Sequence, residues 1–132
     1  MATMEQALTA RLLGASTVTI IAGNRTYWGE VPQGVQRPHV TLNIISDPRP
    51  EHLKGYQATR STRVQADCRA DDAATAMALA RAIIGAVEPA GMFHGHRFGR
   101  TKAEGPRALN EDVDGILVHR QSVDLIIWHV GD

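Results

Sequence analysis

Arg60-Ser61-Thr62-Arg63-Val64-Gln65-Ala66-Asp67-Cys68-Arg69-Ala70 is the stretch on which the fold turns. Val64, Ala66 and Cys68 fall at every second position, and Arg63, Gln65, Asp67 and Arg69 fill the places between them. Side chains along a strand point alternately to its two faces, so this run predicts a strand with one face on the core and one polar face. Asp71 or Asp72 then supplies an N-cap whose charge suits the positive end of a helix. Ala73, Met77, Ala80, Ile84 and Val87 recur at intervals of four and three, which predicts a helix over 71–87 with that stripe buried. Ala74, Ala76, Ala78 and Ala82 beside the stripe allow close packing on a sheet, and Pro89 stands where a helix stops.

Upstream, residues 3–13 read as a first helix, with Thr3 and Gln6 spaced as a capping box and Met4, Leu8 and Leu12 on one side. Val18, Ile20 and Ile21 favour a short strand over 16–22, although a helical turn fits the same seven residues. Tyr27–Val31 reads as a short strand leading into a loop broken by Pro32, Gly34 and Pro38. Over 39–46, Val40, Leu42 and Ile44 alternate with His39, Thr41 and Asn43, the pattern of a strand. Pro48, Pro50 and Gly55 mark 47–59 as a long surface loop.

Downstream, Gly95, Gly99 and Gly105 interrupt 92–105, which reads as an irregular edge strand. Residues 106–115 read as a second long polar loop. The last strand covers 116–130, straight or bent. There Val123, Leu125 and Ile127 share one face, and Ile126, Trp128 and Val130 the other. Two apolar faces predict cover on both sides, from the domain or from a partner. The expected fold class is therefore α+β: a mainly antiparallel sheet with an N-terminal helix and one long central helix packed on one face.

Length and composition bound the rest. The 132 residues fit a single domain over 1–132, and 43% hydrophobic with 21% charged residues is an ordinary globular balance that needs no disulfide or metal to hold a core. Fourteen basic and fourteen acidic residues cancel, which argues against a surface built to grip a phosphate backbone. Twelve of the fourteen basic residues are Arg, the side chain suited to bidentate pairing with carboxylates. Cys68 stands alone, so no intrachain disulfide forms. Met1–Gln6 lacks the basic and apolar regions of a secretory signal, and no apolar run approaches a membrane span. A soluble cytoplasmic protein is expected.

Candidate chemistry is sparse. His94 and His96 are two apart and would share a face on a strand, with His39, His119 or His129 as a third metal ligand. No HExxH motif or Cys-rich spacing supports a metal, so the histidines read as surface or loop residues. Cys68 is in phase with Val64 and Ala66, which makes it a small core side chain rather than a nucleophile. Asp71 and Asp72 are explained as helix caps. Glu111, Asp112 and Asp114 form an acidic loop cluster that reads as solvated. Arg97, Arg100, Lys102 and Arg107 make a basic stretch that nearby Glu104, Glu111 and Asp112 offset. No phosphate-binding glycine loop or nucleophile elbow occurs. No enzyme and no cofactor are expected.

Tyr27-Trp28-Gly29-Glu30-Val31-Pro32-Gln33-Gly34, followed by Pro38-His39-Val40-Thr41-Leu42, resembles the tail completion family of tailed phages, prophages and gene transfer agents. The order matches too: a leading helix, a Pro-Gln-Gly turn, a Pro-led strand, a strand like 63–68, an Ala-rich helix like 71–87, and a closing strand like 122–129. Residues 89–112 match no part of that pattern. The resemblance implies a structural tail terminator, a ring that caps the head-proximal end of a tail tube and presents the surface for joining the head. It implies a homo-hexamer contacting tail tube and head connector proteins, with DNA passing unread through the channel. Such a protein belongs to the tail of a virion or phage-like particle and is assembled in the bacterial cytoplasm. The family supplies no catalytic residues.

A ring closes through heterologous contacts, one patch against a different patch of the neighbour. Arg63, Gln65, Asp67, Arg69 and Trp128 are the candidate interface residues, and the loops 47–59 and 106–115 are candidates for the channel or for neighbouring rings. Charge reversal at Arg63 and Asp67 is expected to impair assembly. The competing readings are another neck or head–tail adaptor component, and a small metal-dependent or ligand-binding enzyme using the histidines.

Overall fold

A computed structural model describes residues 3–47, 51–52, 55–56 and 59–130. Along the chain run α1 (Met4–Leu13), α2 (Ser16–Ala22), β1 (Thr26–Trp28), β2 (His39–Ser46), β3 (Glu51–His52), β4 (Gly55–Tyr56), β5 (Thr59–Ala70) and α3 (Ala73–Val87). They are followed by β6 (Gly91–Phe93), β7 (His96–Phe98), β8 (Lys102–Ala108), β9 (Glu111–Val113) and β10 (Ile116–Val130). The protein is α+β, with a mostly antiparallel sheet. Its strand order is β1-β2-β5-β10-β7-β6, and β8 and β9 also pair with β10. β3 and β4 form a separate two-stranded pair.

The sheet is built around β5 and β10, which pair without a break from Ala70 opposite His119 to Thr59 opposite Val130. β5 carries the alternation its sequence predicts. Val64, Ala66 and Cys68 are fully buried, while Arg63, Gln65 and Arg69 are half-buried. Asp67 departs from that pattern: it lies on the polar face yet is only 4% exposed. On β10, Val123, Leu125 and Ile127 point into the same core. β1 joins the edge in parallel to β2, with Tyr27 opposite Thr41.

Three helices supply the remaining core. α1 starts as a full capping box: Thr3 Oγ1 accepts from Gln6 N at 3.2 Å, and Gln6 Oε1 accepts from Thr3 N at 3.0 Å. It buries Met4, Ala7, Leu8 and Leu12. α2 stands where residue type favoured a strand. Seven residues are too few to display a period, and burying Val18 and Ala22 in the shared core outweighs the β preference of Val and Ile. Asp72 caps α3, its Oδ1 accepting from Thr75 N at 2.7 Å. That bond, with a second from the Thr75 hydroxyl, holds the Asp72 carboxyl below its ordinary pKa. The stripe α3 buries is Ala76, Leu79, Ala80, Ile83 and Val87, rotated from the predicted Ala73, Met77, Ala80, Ile84 and Val87. Ala73 is exposed, and Met77 and Ile84 are half-buried.

Residues 91–113 are more ordered than their sequence suggests. β6 and β7 form a tight hairpin, with Phe93 opposite His96 and a two-residue turn at His94 and Gly95. Both turn residues have positive φ, +52° and +79°, as such a turn requires. The 106–115 segment is not a loop either. β8 runs through Pro106 to Ala108, and β9 forms a second hairpin with β10 through Asp114 and Gly115. Pro106 is tolerated because β8 carries one extra residue there, between Glu104 opposite Asp124 and Arg107 opposite Ser122. Gly105 makes that bulge possible: its φ is +103°, and a Cβ would lie 3.0 Å from the Ser122 carbonyl oxygen. The predicted loop 47–59 lies largely outside the described residues, and its described parts include the β3–β4 pair.

Candidate functional site

The five predicted interface residues lie on one face of the β5–β10 pair, the face away from the helical core. Arg63, Gln65, Asp67 and Arg69 alternate with the buried Val64, Ala66 and Cys68, and Trp128 sits opposite Ser61 on the same side. The face divides into two parts of different character.

One part is an ionic ladder across four strands. Arg63 Nη1 donates to Asp124 Oδ2 at 2.9 Å, and its Nη2 reaches Glu104 Oε1 at 3.5 Å. Gln65 Nε2 donates to Asp67 Oδ1 at 3.2 Å and to Ser122 Oγ at 3.0 Å. Asp67 pairs with Arg120 at 3.1 Å. Arg69 Nε donates to Glu111 Oε1 at 2.7 Å and its Nη1 to Thr41 Oγ1 at 3.1 Å. Each predicted polar interface residue thus has a partner within its own chain. The acidic cluster expected to be solvated is split in the same way: Glu111 joins the ladder, while Asp112 Oδ1 accepts from Gly115 N at 2.9 Å in the hairpin turn. Pairing across strands holds these long side chains in fixed positions before any neighbour arrives.

The other part is apolar. Ile126, Trp128 and Val130 follow one another at two-residue spacing along β10, and Trp128 and Val130 are 47% and 39% exposed. The cover predicted for this second apolar face is not supplied by the described residues.

The histidines are arranged differently from the sequence expectation. His94 occupies the exposed hairpin turn, so it shares no strand face with His96. His96 and His129 are buried, and His96 Nε2 lies 3.4 Å from His129 Nδ1. His129 Nε2 contacts Thr62 Oγ1 at 2.7 Å, and Thr62 donates to Asp47 Oδ1 at 2.9 Å. Asp47 also accepts from Arg60. This polar chain ties β2, β5, β10 and β7 together at one end of the sheet. Among the described residues, no group of three or more His, Cys, Asp or Glu side chains is gathered closely enough to hold a metal ion. The signal for the chain, His129 in phase with core residues of the last strand, is present in the sequence but gives no hint of its partners.

Arg11 is a further residue the sequence did not single out. It is 5% exposed, lies 3.8 Å from the Phe93 ring centre, and donates from Nη2 to the Ala86 and Pro89 carbonyl oxygens. A guanidinium at the carbonyl end of α3 is favourable for the helix dipole. Burial lowers its pKa. The group joins α1 to the end of α3 and to the β6–β7 hairpin.

Cys68 is fully buried, and burial pushes its thiol up to about 12. A thiol that stays protonated is neither nucleophile nor ready metal ligand. Native protein at pH 8 is expected to react with a thiol-specific chromogenic disulfide at least a hundredfold more slowly than protein in denaturant, where the ordinary thiol pKa returns. Stopped-flow absorbance checks this, and comparable rates would mean that β5 opens readily.

Comparison with known proteins now bears on this arrangement. Residues 6–129 match the family described as tail completion protein gp17. The chain belongs to that family. The tail completion match takes in most of α1, all of α2 and α3, the whole ladder, and Ile126 and Trp128 of the apolar strip. It also spans 89–112, where the sequence offered no pattern. Among solved structures, a chain from the virion of a native gene transfer agent particle is similar, with a TM-score of 0.70 at 18% identity, covering 96% of this chain and 94% of that one. That likeness shows a shared fold. No curated protein was found to match the chain.

Proposed function

We propose that this tail completion protein is a structural tail terminator, with residues 1–132 acting as one domain without catalytic activity. It forms a homo-hexameric ring on the head-proximal end of a phage-like tail tube and presents the surface for head joining, while DNA passes unread. The observation that carries this reading is the open sheet face. In a chain of the tail completion family, an exposed apolar strip at Trp128 and Val130 borders a pre-ordered ionic ladder. Apolar centres flanked by polar rims are the usual build of protein interfaces, and aromatic residues are enriched there. Residues of all three helices share one core cluster with Val64, Ala66 and Cys68, the alternate positions of β5 to the polar ones. The tail of a virion or gene transfer agent particle, put together in the bacterial cytoplasm, is its proposed location.

The test is size-exclusion chromatography with light scattering, with and without purified tail tubes, followed by electron microscopy of the tube ends. A hexamer, or caps at one end of tubes of fixed length, is the expected result. A subunit that stays monomeric beside tubes and leaves their length uncontrolled would refute the proposal. Trp128→Glu places a charge in the apolar strip and is expected to weaken self-association at least tenfold. Because Trp128 is already half-exposed, the unfolding midpoint of the monomer should change little.

A further inference from the structure

The two ends of β10 both expose apolar surface, and they carry opposite charge. At the C-terminal end, Phe98 stands opposite His129, which places Arg97 beside Val130 on the open face. Met92 lies opposite Arg97 on β6 and is more than half exposed. Trp128, Val130 and Met92 thus belong to one apolar patch across β10, β7 and β6. Arg97 and Lys102 rim it, both exposed, with Lys102 opposite Ile126. Residues 89–103 contain no Asp or Glu, and the flanking acids Glu88 and Glu104 pair with Arg100 and Arg63. This end keeps an uncompensated positive charge.

At the N-terminal end, Ile116, Leu117 and Val118 run past Ala70, the last residue of β5, and pair with β9 alone. The hairpin exposes apolar side chains on both of its faces, Val113 opposite Ile116 on one and Leu117 on the other. Ile116 and Leu117 are more than half exposed. Asp112 and Asp114 are exposed beside them. Residues 108–119 contain no Lys or Arg, and Glu111 is already paired with Arg69. This end keeps an uncompensated negative charge. Apolar side chains gathered on an exposed surface mark a place of contact.

The two surfaces suit each other and not themselves. Patch on patch sets Arg97 and Lys102 against their own copies, and hairpin on hairpin does the same with Asp112 and Asp114, a costly juxtaposition. Ile116 and Trp128 stand near opposite ends of one strand, about 40 Å apart at the usual rise per residue, so a subunit cannot close the contact on itself. We propose that the β9–β10 hairpin of one copy docks on the Trp128, Val130 and Met92 patch of the next, its apolar tip against Trp128 and its Asp112 and Asp114 facing Arg97 and Lys102. Two different surfaces at opposite ends of a subunit make a head-to-tail contact, the kind from which rings close. The proposal rests on the self-assembly reading above and names the contact that carries it.

Two variants and their mixture test this by sedimentation velocity. Ile116→Ser with Leu117→Ser removes the apolar tip, and Trp128→Glu puts into the patch a charge that also repels the hairpin. All three side chains are about half exposed or more, so the unfolding midpoints, read in parallel, should stay near the parent value. Each variant alone is expected to need at least tenfold more protein than the parent to assemble. Below that concentration an equimolar mixture is expected to give heterodimers and nothing larger. The intact hairpin of the Trp128→Glu subunit meets the intact patch of the serine variant, and both remaining ends are blocked. A mixture that stays monomeric would overturn the proposal, as would a serine variant that assembles as readily as the parent. A parent hexamer beside a monomeric mixture would refute this contact and leave the ring. Heterodimers beside a parent that forms open chains would refute the hexamer and support this contact.

Discussion

Truncating Leu125 to alanine is expected to lower the stability of the subunit by about 2–5 kcal/mol. Leu125 is fully buried at the middle of β10, opposite Val64 on β5 and Ala103 on β8, in the same core as Leu79 and Ile83 of α3. Removing its branched end takes apolar surface out of the core and leaves a cavity. The surrounding backbone is a paired sheet and cannot collapse freely into that space. Denaturant unfolding followed by circular dichroism measures the loss. Ile20→Ala is the control: Ile20 is 84% exposed, so its truncation should change stability by less than about 0.5 kcal/mol. Equal midpoints for Leu125→Ala and the parent would mean that β10 is not the centre of the core.

Reversing Asp67 to arginine is expected to cost a further large amount, about 3–5 kcal/mol, and to act on folding rather than on assembly. Asp67 is 4% exposed, pairs with Arg120 at 3.1 Å and accepts from Gln65. Arginine there sets two cations side by side in a place with little water to screen them. Expression with a lowered unfolding midpoint, read before any assembly assay, is the expected result. A stable, soluble Asp67→Arg subunit that failed only to assemble would contradict this and would place Asp67 at the interface directly. Charge reversal at this position is therefore a poor probe of ring contacts, although its place on the polar face suggested it. Trp128 is the better one, because its side chain is half-exposed and makes no hydrogen bond among the described residues.

Much of the fold was legible where a period had room to repeat. The 60–70 strand has eight residues of strict alternation, Arg63 to Ala70, and the last strand carries its own apolar set at Val123, Leu125 and Ile127. Residues 16–22 were not legible, because a single buried face of two side chains fits a short helix and a short strand equally. The α3 stripe was rotated because alanines surround it, so two neighbouring stripes have nearly the same apolar content. Gly105, Pro106 and Gly115 suggested loops. In the fold, Gly105 with Pro106 forms a bulge and Asp114 with Gly115 forms a hairpin turn, and both lie inside paired strands.

The candidate site was legible as a face but not as a set of contacts. Alternation places Arg63, Gln65, Asp67 and Arg69 together, yet it carries no information on Asp124, Glu104, Arg120 and Glu111, which come from strands far along the chain. The same limit hid the Asp47–Thr62–His129–His96 chain. Three of its members come from separate strands and Asp47 follows the end of β2, and only tertiary folding makes them neighbours.

The pairing of β5 with β10 also sets a kinetic expectation. It joins residues about 50 to 70 positions apart, so a long loop must close before either strand gains a partner. Local structure, such as the capped α1 and α3 and the two tight hairpins, can form early without that closure. Folding should therefore be slow for a chain of this length, on the millisecond-to-second scale typical of non-local sheets. Until β10 docks, its core face at Val123, Leu125 and Ile127 and the unpaired edge of β5 are both uncovered, and a crowded pool of newly made subunits faces its greatest hazard of mispairing at that moment.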